Sequence, residues 1–125
     1  MVILDTSALV RFFTKDIPSK AKQVKSLLES KEKIRIPDVV FPELEYVLLS
    51  KSYNATRNKI LKAFEFLASR RNVSVSKEVK NGIDFYERTS FDMADCIIVI
   101  ASLGNRLLSF DKKLLSVAGI KGYKK

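Results

Sequence analysis

Short apolar runs alternate along this chain with longer stretches in which apolar residues recur every three or four positions. The first pattern predicts buried strands and the second amphipathic helices. Residues 2–4 form the first apolar run, and residues 8–13 a helix of a turn or two. Ala21, Val24, Leu27 and Leu28 mark a helix over residues 19–30. Residues 34–36 are a strand that Pro37 stops. Asp38 is placed to cap a helix that runs to about residue 52, and Thr56 to cap one ending at about residue 69. Residues 73–75 predict a third strand, and a helix begins at Ser76 or Lys77 and reaches about Arg88. A strongly apolar helix over residues 92–103 is closed by Gly104 and Asn105. A strand at residues 107–110, a short helix at 112–117 and a last strand at 120–123 complete the pattern. Repeated strand–helix–strand units imply a mostly parallel sheet of four to five strands covered on both faces. The expectation is therefore one α/β domain over residues 1–125, a three-layer α/β/α sandwich.

Composition excludes several functions. No apolar run approaches the roughly 18–20 residues of a membrane span. Asp5 interrupts the apolar start, so neither a signal peptide nor a membrane is expected. The single cysteine, Cys96, cannot close an internal disulfide, and a cytoplasmic location follows as the expectation. With no histidine in the chain, histidine bases, Ser–His triads and ordinary zinc sites are ruled out. Cys96 lies in an apolar helix without a histidine partner and reads as a buried thiol rather than a nucleophile. There is no Gly-rich phosphate loop.

Four carboxylates stand beside apolar runs: Asp5, Glu43, Asp95 and Asp111. Asp5 and Asp111 each end a predicted strand and begin a helix. In an open parallel sheet that edge is where ligands bind. Glu43 falls in the first turns of its helix. It flanks the stripe of Val40, Leu44, Val47 and Leu48 at about 80° from its centre, which suits a cleft wall. Glu45 points away from that stripe, so its replacement by Gln is expected to be nearly silent. Asp92 and Asp95 are three apart on one helix face. Taken alone, Asp5, Asp92, Asp95 and Asp111 also read as helix-capping residues. Converging acids, however, repel one another until a cation binds, and hard oxygen donors select Mg²⁺ or Mn²⁺. The charge supports this. With Asp5, Glu43, Asp92, Asp95 and Asp111 set aside, nine acids remain against 23 bases, a balance of +14. That describes either a basic body, suited to a polyanion, around an acidic hole, or a solvated surface that keeps the protein soluble.

These residues carry a resemblance. The chain is similar over its whole length to PIN-domain ribonucleases, and most of all to VapC-type toxins of toxin–antitoxin pairs. The matching motifs are Asp5-Thr6-Ser7 after a short strand, Glu43-Leu44 in a helix after a strand and a proline, Asp95-Cys96 in an apolar helix with Asp92 three before it, and Ser109-Phe110-Asp111 after an apolar strand. Cys96 stands where relatives commonly have alanine. The resemblance implies a metal-dependent endoribonuclease in which Asp5, Glu43, Asp95 and Asp111 are catalytic. Asp5, Glu43 and Asp95 would hold Mg²⁺ or Mn²⁺, with Asp92 and Asp111 acting more loosely through metal-bound water. Ser7 and Ser109 would hydrogen-bond carboxylates or a phosphate oxygen, or serve as cap and turn hydroxyls. Arg11, Lys112 and Lys113 would meet the RNA backbone. Alternative readings are a PIN nuclease of RNA processing and a non-catalytic RNA-binding module of the same fold.

Partners follow from surplus apolar surface. Val39, Tyr46 and Leu49 lie off the core stripe of their helix, and Phe66 off that of the next. The expectation is a twofold dimer through these residues, or a helix hairpin wrapped more deeply into its own fold. The resemblance adds a cognate antitoxin that blocks the acidic cleft.

Overall fold

In the computed structural model, which describes residues 1–124, every predicted helix forms. Lys125, the last residue of the predicted domain, lies outside the described residues. The order is β1 (Val2–Ile3), α1 (Thr6–Thr14), α2 (Pro18–Leu28), β2 (Ile34–Arg35), α3 (Val40–Leu49), α4 (Arg57–Ser69), β3 (Val73–Ser74), α5 (Lys77–Arg88), α6 (Met93–Ser102), β4 (Arg106–Leu107), α7 (Lys112–Leu115) and β5 (Lys121–Gly122).

The helix starts are set by side-chain caps. Asp5 accepts from the Ala8 amide, Thr56 from Lys59, Ser76 from Val79 and Asp92 from Asp95. Each cap satisfies one of the first-turn amides that has no partner within its helix. Asp38 does not cap α3 as expected. That helix enters through a turn in which the Phe41 amide bonds to the Asp38 carbonyl, and its capping position, Val39, offers no side-chain bond. Pro42 is tolerated in the first turn because the amide it lacks has no helical acceptor there. In α2, Pro18 takes the first helical position for the same reason.

β1, β2 and β3 form a parallel sheet in that order, with Val2 opposite Ile34 and Ile34 opposite Val73. Leu4 and Ile36 extend the ladder by donating to the carbonyls of Arg35 and Ser74. β4 and β5 pair separately, with Arg106 opposite Lys121. The expected continuous sheet of four to five strands is thus a three-stranded and a two-stranded parallel group among the described residues. The predicted strand at 107–110 stops at Leu107. Beyond it the Asp111 amide bonds to Ser109 Oγ, which turns the backbone toward α7, and Leu108 and Phe110 face solvent.

The core gathers where α3, α4, α5 and α6 meet the three-stranded sheet. Phe41, Phe64 and Tyr86 stack in series, at centroid distances of 5.3 Å and 5.5 Å. A second aromatic group joins α1 to α4. Phe66 stacks on Phe12 at 5.7 Å and meets Phe13 edge-on, with the Arg70 guanidinium 5.2 Å from its ring. Phe66 therefore belongs to the protein's own packing and not to the surplus face expected for a partner. Val39, Tyr46 and Leu49 on α3 do face solvent.

Candidate active site

Asp5 stands at the carboxyl end of β1. Its Oδ1 accepts from the Ser7 hydroxyl at 2.8 Å and from the Ala8 amide at 3.0 Å. The next residue, Thr6, donates its hydroxyl to Glu43 Oε1 at 2.8 Å. Two adjacent residues at the start of α1 thus meet two acids, one their own neighbour and the other in the first turn of α3. Ser7 serves the carboxylate as the sequence suggested. Thr6 was not singled out from the sequence, although a hydroxyl beside the first acid was the available signal.

The second group of acids lies at the starts of α6 and α7. Asp92 Oδ1 accepts from the Asp95 amide at 2.9 Å, and Asp111 Oδ1 from the Lys113 amide at 2.9 Å. Asp95 differs from the other site acids. It is half-buried, and among the described residues its carboxylate takes no hydrogen bond. Burial, then the charges of Asp92, Asp111 and Glu45, push its carboxyl above the ordinary aspartate range. Asp5 is shifted the opposite way, because the Ala8 amide and then the Ser7 hydroxyl stabilise its ionised form. Hence one site acid is satisfied by donors, while another is an anion short of positive charge.

The remaining expected residues are placed as follows. Ser109 takes the turn role, accepting from the Asp111 amide. Lys112 and Lys113 open α7 and are exposed beside Asp111. Arg11 pairs with Asp16, which also accepts from Tyr53 Oη at 2.9 Å, so its charge is already engaged.

Contrary to expectation, Glu45 does not point away from the core. It is 5% exposed, deep in the core. The buried residues of α3 are Val40, Phe41, Leu44, Glu45 and Leu48, and Glu45 joins their stripe at its edge, about 40° beyond Phe41. Its Oε2 accepts from Tyr86 Oη at 2.7 Å and its Oε1 from the Met93 amide at 2.9 Å. The Arg57 guanidinium lies 3.6 Å from the centre of the Tyr86 ring. Arg57 donates to the carbonyls of Tyr86, Thr89 and Phe91 at 2.8, 3.0 and 2.7 Å. Burying a carboxylate costs several kcal/mol, against about 1.5–3 kcal/mol returned by each charged hydrogen bond. A Gln here would keep an acceptor for the Met93 amide and turn its amide nitrogen toward the Tyr86 hydroxyl, which can accept as well as donate. Cys96 sits beside this network. Burial pushes its thiol up to about 12, which keeps it protonated and inert, as the sequence suggested.

The site is therefore acid-only, with hard oxygen donors in two groups. The first is Asp5 with Glu43, which accepts from Thr6, the residue after Asp5; the second is Asp92, Asp95 and Asp111. Such donors suit Mg²⁺ or Mn²⁺. Among the described residues no three acid or thiol side chains come close enough to hold an ion. The donor chemistry fits a divalent ion, while the two groups remain separate.

The PIN domain family matches this chain over residues 2–120. The chain belongs to the PIN domain family. PIN domains are generally nucleases and generally bind divalent metals, and the acid-only site accords with both. No curated protein and no solved structure matches the chain. No helix of the described part of this PIN domain is long and apolar enough to cross a membrane.

The opposite shifts of Asp5 and Asp95 predict opposite contributions to stability. The raised carboxyl of Asp95 binds its proton more tightly in the folded state. Its contribution falls as pH rises from the ordinary aspartate value through the raised one. Asp5 contributes stability above the ordinary value, which is lost as pH falls through its lowered one. Carboxyl ¹³C NMR titration in divalent-free buffer should show Asp95 losing its proton at higher pH than Asp5, and Asp95→Asn should be more stable than the wild type at neutral pH. Titration of Asp95 at or below Asp5 would refute this electrostatic description.

Proposed function

We propose that this PIN domain, acting as one unit over residues 1–125, is a metal-dependent endoribonuclease, and that it is the toxin of a VapC-type toxin–antitoxin pair in the cytoplasm. The observation that carries the nuclease reading is Asp95, a half-buried carboxyl with no hydrogen-bond donor among the described residues, whose ionised form is disfavoured by burial and then by the charges of Asp92 and Asp111. Helix capping, the rival explanation, accounts for Asp5, Asp92 and Asp111, each of which accepts from an amide in its helix. It does not account for Asp95, whose carboxylate caps nothing and repels its neighbours.

In this reading Asp5, Glu43 and Asp95 would hold Mg²⁺ or Mn²⁺, with Asp92 and Asp111 acting more loosely through metal-bound water. A bound ion of this kind makes a coordinated water nucleophilic at neutral pH and offsets charge on the phosphoryl oxygens. The protein supplies the rest. Ser7 and the Ala8 amide keep Asp5 ionised, and Thr6 keeps Glu43 turned toward the end of β1. Lys112 and Lys113 supply positive charge beside Asp111 for the substrate backbone, and the basic excess draws RNA to the protein. Ser109 shapes the turn that presents Asp111. Arg11 is the weakest of the proposed backbone contacts because Asp16 already holds it.

The exposed face of α3 supports a partner. Val39, Tyr46 and Leu49 are 59%, 79% and 47% exposed. A second copy of the chain covers this face in the proposed assembly, and the antitoxin closes the acidic cleft.

With Mg²⁺ or Mn²⁺ the protein should cleave single-stranded RNA, EDTA should abolish cleavage, and Asp5→Asn should lose several orders of magnitude in rate while still binding RNA. Chelator-resistant cleavage by a clean preparation would end the metal mechanism. For the assembly, light scattering should report a dimer that Tyr46→Glu with Leu49→Glu converts to a folded monomer. A wild type that is monomeric at high concentration would rule out the proposed homodimer.

A further inference from the structure

Glu45 spans two helices that carry opposite halves of the acid site. It shares α3 with Glu43, two residues earlier, and its Oε1 holds the Met93 amide, the first of α6. On either side of Met93 are Asp92, which caps α6, and, two residues on, Asp95. The amide that Glu45 holds is therefore one residue from Asp92 and two from Asp95. Its other oxygen is held by Tyr86 from α5, so it has no freedom to follow α6 if that helix shifts. Arg57 closes the remaining side. It collects the carbonyls of Tyr86, Thr89 and Phe91, which fixes the segment joining α5 to α6 just before Asp92.

A leucine at this position would pack in the same stripe without desolvating a charge. Replacing buried polar or ionic groups with well-packed apolar ones is often neutral or stabilising. At Glu45, however, the exchange would leave the Met93 amide and the Tyr86 hydroxyl without this acceptor, so the carboxylate serves stability as well as the placement of α6. The helix start it holds is the one carrying Asp92 and Asp95, and α6, with ten residues, directs its positive end toward that carboxylate.

We propose that Glu45 is a positioning residue of the nuclease site, setting the first turn of α6 relative to α3 and so the placement of Asp92 and Asp95 relative to Glu43. The proposal rests on the metal-nuclease reading above. Glu45 itself touches neither RNA nor metal. Its effect passes through the Met93 amide.

The test uses Glu45→Leu, Glu45→Asp and Glu45→Gln in the full chain. Glu45→Leu should fold, as judged by circular dichroism and denaturant unfolding. It should lose about 100-fold in kcat on single-stranded RNA, the scale of a small misplacement of reacting groups, with KM little changed. Its Mn²⁺ affinity should weaken by about 10-fold or more, as when a ligand's supporting contact is removed. The Asp95 amide, held by Asp92, should exchange its hydrogen faster without a matching loss of global stability. Glu45→Asp, one methylene short of Met93, should show the same changes in smaller degree, and it decides the matter should the leucine variant not fold. Glu45→Gln keeps an acceptor for the Met93 amide and should recover most of the kcat that Glu45→Leu loses. Wild-type kcat, Mn²⁺ affinity and Asp95 exchange in folded Glu45→Leu or Glu45→Asp would overturn the proposal. If the wild type cleaves no RNA, the nuclease reading is what fails, and Mn²⁺ affinity with Asp95 exchange then decides the role of Glu45.

Discussion

Helix α3 carries two glutamates, two residues apart, and the site depends on what each one meets. Glu43 accepts from Thr6 at the start of α1, and Glu45 from the amide that begins α6. One helix thereby links the strand end bearing Asp5 to the helix start bearing Asp92 and Asp95. The exposed glutamate is a candidate ligand, whereas the buried one belongs to the frame. The spacing of Phe41, Leu44 and Leu48 sends Glu45 inward, and Glu43 is left at the surface.

Within that frame the site acids differ in how their charge is met. Asp5 is relieved by an amide and a hydroxyl. Asp95 has no such relief and is raised by burial and by its acidic neighbours. Stability alone does not favour such an arrangement, since a neutral side chain would remove the repulsion. Unresolved electrostatic tension in a cluster of acids is a mark of a functional site. Its natural resolution is a cation bound to the native state, which stabilises the fold by mass action.

Much of this organisation was legible in the sequence. Helical spacing located every helix, and Thr56, Ser76 and Asp92 announced their caps through chemistry that needs no tertiary contact. The acid-bearing motifs were legible through their order and spacing, and their family match spans residues 2–120. What escaped was tertiary. Glu45 looked like an outward residue because the stripe was drawn without Phe41, and only the fold brings Tyr86 and Met93 to it. Phe66 looked surplus because Phe12 and Phe13, its partners, lie over fifty residues earlier. Asp38 lost its capping role to a backbone turn that Pro37 begins, in which the Val40 amide bonds to the Pro37 carbonyl. The strand expected at residues 107–110 was an apolar run that the fold leaves exposed, and apolar runs signal burial only when something covers them.

The proposed function requires the Asp5–Glu43 group and Asp95, which stand apart in this structure, to share a divalent ion. The most direct measurement is the rise in melting temperature caused by Mn²⁺ in the wild type, Asp5→Asn, Asp95→Asn and the double variant. A shared ion predicts that each single variant loses most of the rise and that the double variant loses little more, a strongly non-additive result. A full Mn²⁺ response in either single variant, or losses that simply add, would contradict it.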